Sequence, residues 1–226
     1  MSDEIKVNSN EQNEISLKKK IVVLISTILL ITGITFCSWF FSGINNSYVR
    51  LILSVLLNLT NGVVAFIAIK ITKIKIGIEL KNFYQYLIGL GIALTLSLFI
   101  AFIPAWAGHS IVGSHQDYKF INLLINFLFY MLIIGPVEEL IFRVYVQETF
   151  ISFFNKNKWI GVILASLLFG IWHLINGSLF QVLFTFMIGS VFGFAKYFIK
   201  QYKYLGLSFT HGLYDFLNVI VRMFVI

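Results

Sequence analysis

Long apolar runs, each about the length of a bilayer crossing, alternate along the chain with short polar links. They fall near residues 21–44, 49–70, 83–106, 120–143, 159–175, 179–199 and 204–225. A helix needs about 20 apolar residues to cross the hydrocarbon core. The pattern therefore predicts an all-α, polytopic helical membrane protein with about seven transmembrane helices. Six is the competing number, with one short run re-entrant. Residues 1–17, "MSDEIKVNSNEQNEISL", are polar and patternless, and they predict a disordered cytoplasmic tail. A single transmembrane domain is expected over 18–226. The lysines at 18–20 precede an apolar run too long for a signal-peptide core, which predicts an uncleaved first helix.

Composition agrees with the pattern. Of 226 residues, 58% are hydrophobic and 12% charged, with a mean hydropathy of +0.88. A soluble domain carries about twice that charge, so this chain has too little polar surface to coat itself. The net charge of +7 raises nucleic acid as a partner, but the basic residues are spread through the links between apolar runs. Lys6, Lys18, Lys19, Lys20, Lys70, Lys73, Lys75, Lys81, Lys156, Lys158, Lys196, Lys200 and Lys203 all fall on one side if the N-terminus is inside. Arg50, Lys119 and Arg222 fall on the other. That bias places the N-terminus inside and the C-terminus outside. Membrane lipid, and no nucleic acid, is the expected surrounding, in a multi-pass protein of the cell membrane. Cys37 is the sole cysteine, so no internal disulfide forms.

The ionisable residues within the apolar runs are few, and charge there is costly enough to imply a use. "GPVEELIFR" places Glu138, Glu139 and Arg143 in the fourth run. "FGIWH" places His173 in the fifth, and "HGLYD" places His211 and Asp215 in the seventh. The spacing i, i+4 recurs: Glu139 with Arg143, Phe169 with His173, His211 with Asp215. Each pair lies on one helical face. Asn218 extends the last face. Counting from Asn157 in the inner link, Glu139 is eighteen residues back and His173 sixteen forward. At about 1.5 Å per residue the two stand at nearly the same depth. Two carboxylates, two histidines, an arginine and an Asp from three helices make the parts of a hydrolytic site. Adjacent glutamates resist double ionisation, while Arg143 holds one ionised. A glutamate so tuned is suited to act as a general base toward water.

In that order and in successive helices, E-E-x-x-x-R, F-x-x-x-H and H-x-x-x-D/N resemble the motifs of the CAAX-protease and bacteriocin-processing (CPBP) family, also called the abortive-infection family. Its members include the type II CAAX prenyl endopeptidases. The resemblance covers residues 120–218 and implies an intramembrane endopeptidase with a conical cavity between helices. It implies that Glu138 and His173 activate water, that His211 and Asp215 stabilise the oxyanion, and that Glu139 and Arg143 support the site by pairing. No His-Glu-x-x-His helix is present, and no cofactor is favoured. A zinc site from Glu138, His173 and His211 stays open as the alternative. The expected substrate is a small or lipidated peptide: a bacteriocin, a pheromone precursor or a prenylated peptide. The expected role is bacteriocin self-immunity or peptide maturation. The alternative function is a non-proteolytic membrane immunity or regulatory protein that binds a peptide toxin or a membrane sensor. The first helices carry no motif and are expected to contribute topology only.

Overall fold

The structure, a computed structural model, describes residues 15–41, 43–175 and 177–226. The tail expected over 1–17 lies almost wholly outside the described residues. Among those described there are no strands, and seven membrane-length helices account for the architecture. They are α1 (Leu17–Phe41, closing in a 3-10 turn), α2 (Ser47–Thr72), α3 (Tyr84–Trp106), α4 (Phe120–Phe153), α5 (Lys158–Ile175), α6 (Leu179–Phe198) and α7 (Tyr204–Phe224). The first six are long and apolar enough to cross a membrane. α7 carries more polar residues, yet much of its surface is buried within the protein. The chain is a multi-pass membrane protein. Exposed side chains such as Leu29, Ile52 and Leu183 give the outward faces an apolar surface for lipid.

Local sequence sets several helix ends. Ser16 Oγ accepts the Lys19 N–H at 3.3 Å, so α1 starts ahead of its lysines rather than after them. Asn46 Oδ1 accepts from Tyr48 and Val49 to open α2. Lys73, at φ 55°, ends it in the left-handed conformation. α4 runs ten residues beyond its expected end at 143. Arg143, Gln147 and Glu148 read as the end of an apolar run, but each finds a polar or aromatic partner in the fold.

Both prolines follow a stretch wound as a π-helix. Pro104 comes after Ser97–Phe102, and Pro136 after Tyr130–Ile134. A proline ring clashes with the carbonyl four residues back, and widening the preceding turn relieves that clash. A third π segment, Leu140–Val146, has no proline. There the Arg143 carbonyl instead accepts from Lys196 Nζ at 2.6 Å, a side chain inserted into the backbone ladder. The "GPVEE" turn, Gly135–Glu139, thus lies between two widened segments.

α7 packs against α3 and the middle of α4, α5 pairs with α6, and α2 lies beside α4. Gly135 and Gly212 let α4 and α7 meet at the backbone. A Cβ on Gly135 would stand 2.7 Å from Gly212 N, and one on Gly212 would stand 2.6 Å from Tyr130 O. Small residues at a crossing permit this approach. It brings "VEE" alongside His211.

Candidate active site

His211 is the junction of the site. Its Nδ1 lies 2.8 Å from Glu139 Oε1. A carboxylate only accepts, so Nδ1 carries the proton in this bond. The other ring nitrogen, Nε2, stands 3.6 Å from Glu138 Oε2 and 3.5 Å from Asp215 Oδ2. His211 thus meets both glutamates of the motif, one through each nitrogen.

Glu139 and Arg143 are completely buried. Glu139 Oε2 faces Arg143 Nε at 3.6 Å, and the guanidinium carbon lies 4.8 Å from the centre of the Phe169 ring. A cation over an aromatic face is attracted by the ring quadrupole. The same phenyl ring meets His173 edge-on, with centroids 4.7 Å apart, and His211 at 5.9 Å. Phe169, the first residue of "FGIWH", is therefore the apolar surface on which the three motifs meet. Gly189 of α6 leaves room for it, since a Cβ there would fall 2.7 Å from the Phe169 ring.

His173 opens the 3-10 turn at the end of α5. Its Nδ1 lies 2.8 Å from the Phe169 carbonyl oxygen. The carbonyl accepts, which makes Nδ1 the donor and leaves Nε2 as the basic nitrogen. His173 and Glu138 line one cavity of about 250 Å³, together with Asn58, Asn61, Trp172 and Gln181. His173 and Gln181 also line a second cavity, of about 420 Å³, where Asp215, Asn218, Tyr130 and Arg222 face them. Among the described residues no protein group hydrogen-bonds Glu138 Oε2. That oxygen is buried and its nearest charged neighbour is His211 Nε2 at 3.6 Å; what sets Glu138 apart from Glu139 is its place on the cavity wall.

All six residues of the sequence motifs lie in or directly behind this double cavity. The residue count set Glu139 level with His173, but it is Glu138 that shares a cavity with His173, while Glu139 turns to His211 and Arg143. The zinc alternative lacks its ligand set. Among the described residues no three His, Cys, Asp or Glu side chains are grouped as a metal site in this arrangement.

The expectation that the first helices contribute topology alone needs correction. Thr35 at the end of α1, and Ser54, Asn58 and Asn61 of α2, form a polar wall of the first cavity. Asn61 Nδ2 donates to Thr35 Oγ1 at 3.1 Å, and its own Oδ1 is buried without a partner. The signal was present in sequence: Ser54, Asn58 and Asn61 recur at i, i+4, i+7 in an apolar helix. Tyr130 and Gln181 carried no comparable pattern, and Arg222 read only as an outer charge.

Below the site, away from the cavities, lies a polar layer that is buried at Gln147 and Tyr202 and half-buried at Lys196 and Glu148. Lys196 Nζ pairs with Glu148 Oε1 at 2.5 Å while donating to the Arg143 carbonyl. Gln147 Nε2 donates to Gly193 O at 3.2 Å. Tyr202, in the link between α6 and α7, shares a short hydrogen bond with Thr210. Burial pushes the Tyr202 phenol above its ordinary range, so the hydroxyl stays neutral.

Residues 120–217 match the family model of the Type II CAAX prenyl endopeptidase Rce1-like domain. The match runs from the start of α4 through most of α7 and contains all six motif residues. Over this stretch the chain is similar to a CAAX-type intramembrane protease domain. No curated protein and no solved structure shows a significant match to the chain.

Proposed function

We propose, on the premise that residues 120–217 are an Rce1-like domain, that the protein is an intramembrane endopeptidase hydrolysing a small or lipidated peptide with activated water. Supporting this is the division of labour between the two glutamates. Glu138 lines a cavity with His173 and makes only the 3.6 Å contact with His211 Nε2, whereas Glu139 lines neither cavity and bonds His211 Nδ1 at 2.8 Å.

In the proposed reaction, water in the cavity gives a proton to Glu138 as its oxygen attacks the peptide carbonyl carbon. His173 Nε2 accepts a hydrogen bond from the same water and orients it. The carbonyl becomes an oxyanion, to which His211 donates from Nε2 in its doubly protonated form, with Nδ1–H held by Glu139. The C–N bond then breaks, and the proton held by Glu138 passes to the leaving amine. General acid–base steps of this kind are worth about 10²–10⁴ in rate, and an oxyanion contact about 10²–10³. Asp215 lies 3.5 Å from His211 Nε2. An ionised carboxylate repels an oxyanion, so its role is to orient His211. Glu139 and Arg143 fix the imidazole from behind.

The biological role we propose is bacteriocin self-immunity or maturation of a secreted peptide, as in an abortive-infection or immunity protein. The test is survival of cells exposed to a peptide toxin, with Glu138→Ala and His173→Ala expressed at wild-type level. Loss of protection in both supports cleavage. Protection that survives both points instead to an immunity protein that works by binding. Turnover by purified protein is expected to survive exhaustive chelation; a loss that zinc restores would overturn the metal-free step.

A further inference from the structure

We infer that the cleavage cavity is loaded from the side of the membrane opposite the lysine-rich face, so that the substrate is a peptide exposed on the extracytoplasmic side. This rests on the peptidase reading above and adds to it the side from which the substrate comes. Of the expected substrates, it favours a bacteriocin or a secreted pheromone precursor over a prenylated tail held at the cytoplasmic surface.

The walls of the two cavities come from one end of the bundle. Thr35 and Phe41 lie at the end of α1, and Ser54 and Asn58 in the first half of α2. Val112 and Gly113 belong to the α3–α4 link, Ser178 caps the start of α6, and Arg222 lies in the last turn of α7. The lysines lie at the other ends of the same helices. Lys18, Lys19 and Lys20 form the first turn of α1, and Lys70 lies in the last turn of α2. Lys158 begins α5, and Lys196 lies in the last turn of α6. Lysine-rich ends stay on the cytoplasmic side, which turns the cavity mouth outward.

Depth leads to the same side. His173 is fifteen residues beyond Lys158 on α5. At about 1.5 Å per residue it stands roughly 22 Å from the lysine face, in a core about 30 Å thick. A route from the lysine face would have to cross buried Arg143 and Gln147 and half-buried Lys196, where Gln147 Nε2 donates to the Gly193 carbonyl of α6 and Lys196 Nζ to the Arg143 carbonyl of α4. On the outer side the walls carry Ser54, Asn58, Ser178, Gln181 and Arg222. Such a polar funnel admits both water and an extended peptide backbone.

The test is thiol labelling of the full chain in intact cells with a membrane-impermeant maleimide. Cys37 is first replaced (Cys37→Ser), and then Ser178→Cys or Lys156→Cys is introduced. Ser178 is exposed at the cavity mouth and Lys156 is exposed in the α4–α5 link. The expected result is equal labelling of Ser178→Cys before and after permeabilisation, with Lys156→Cys labelled only after it. The reverse pattern, or a Ser178→Cys that reacts in neither condition, overturns the inference. Labelling needs no turnover. An outward mouth in a protein whose Glu138→Gln variant works as well as wild type would therefore sink the peptidase reading alone. An inward mouth with a dead Glu138→Gln variant would sink the access side alone.

Discussion

Glu138 and Glu139 share a peptide bond but belong to regions built in opposite ways. Around Glu138 the protein is hollow, with Asn58, Asn61, His173 and Gln181 set among apolar residues on the cavity wall. Around Glu139 it is solid: Arg143 is fully buried, His211 is almost so, and Phe169 fills the space between them. A carboxylate that exchanges protons with water needs a free oxygen and a wet surface. A carboxylate that orients a histidine needs an oxygen on the ring N–H and no water to compete, as Glu139 Oε1 has on His211 Nδ1. A single dipeptide supplies both because successive residues on a helix point about 100° apart.

Changes on the hollow side are expected to cost rate and spare the fold; changes on the solid side should do the reverse first. The largest effect expected is from His173→Ala, with turnover falling by about 10²–10⁴ and the melting temperature in detergent nearly unchanged. A matching fall in melting temperature would mean that His173 is a packing residue. Next, Glu139→Leu strands Arg143 as a lone buried charge, which costs about 3–5 kcal/mol, read as a lower unfolding midpoint. Adding Arg143→Leu should recover most of that stability without recovering turnover. If the double variant works like wild type, the solid region has no part in orienting His211. Gly212→Leu forces side-chain atoms against the α4 backbone and should cost about 1–3 kcal/mol. Circular dichroism should show helix content retained while turnover drops. The smallest effect is expected at the cavity wall. Asn61→Leu removes one hydrogen bond to Thr35, worth about 0.5–1.5 kcal/mol, and should change turnover by less than about tenfold.

The division between the two regions was only partly legible in the sequence. Apolar runs placed seven helices, because hydropathy over twenty residues is a strong signal. The i, i+4 pairs named Glu139 with Arg143 and His211 with Asp215, and both pairs are close in space. On α6, a Cβ at Gly189 would meet Phe169 and one at Gly193 would meet Val162 and Gln147, a close approach that glycines four apart allow. Counting residues gave depth but not rotation, so it could not separate Glu138 from Glu139. The π segments at Tyr130–Ile134 and Leu140–Val146 alter the helical phase on either side of the pair. Only Pro136 hinted at the first, and the second depends on Lys196, more than fifty residues away. The polar wall from α2 was missed because hydrogen-bonding residues without charge hardly disturb a hydropathy profile.

The most direct measurement is single-turnover cleavage of a peptide substrate by purified protein, comparing wild type with Glu138→Gln. That change keeps the size of the side chain and removes its basicity. The proton-transfer role assigned to Glu138 predicts a rate at least about a hundredfold lower in the variant, with peptide binding and melting temperature unchanged. A variant that cleaves within a few-fold of wild type would contradict it.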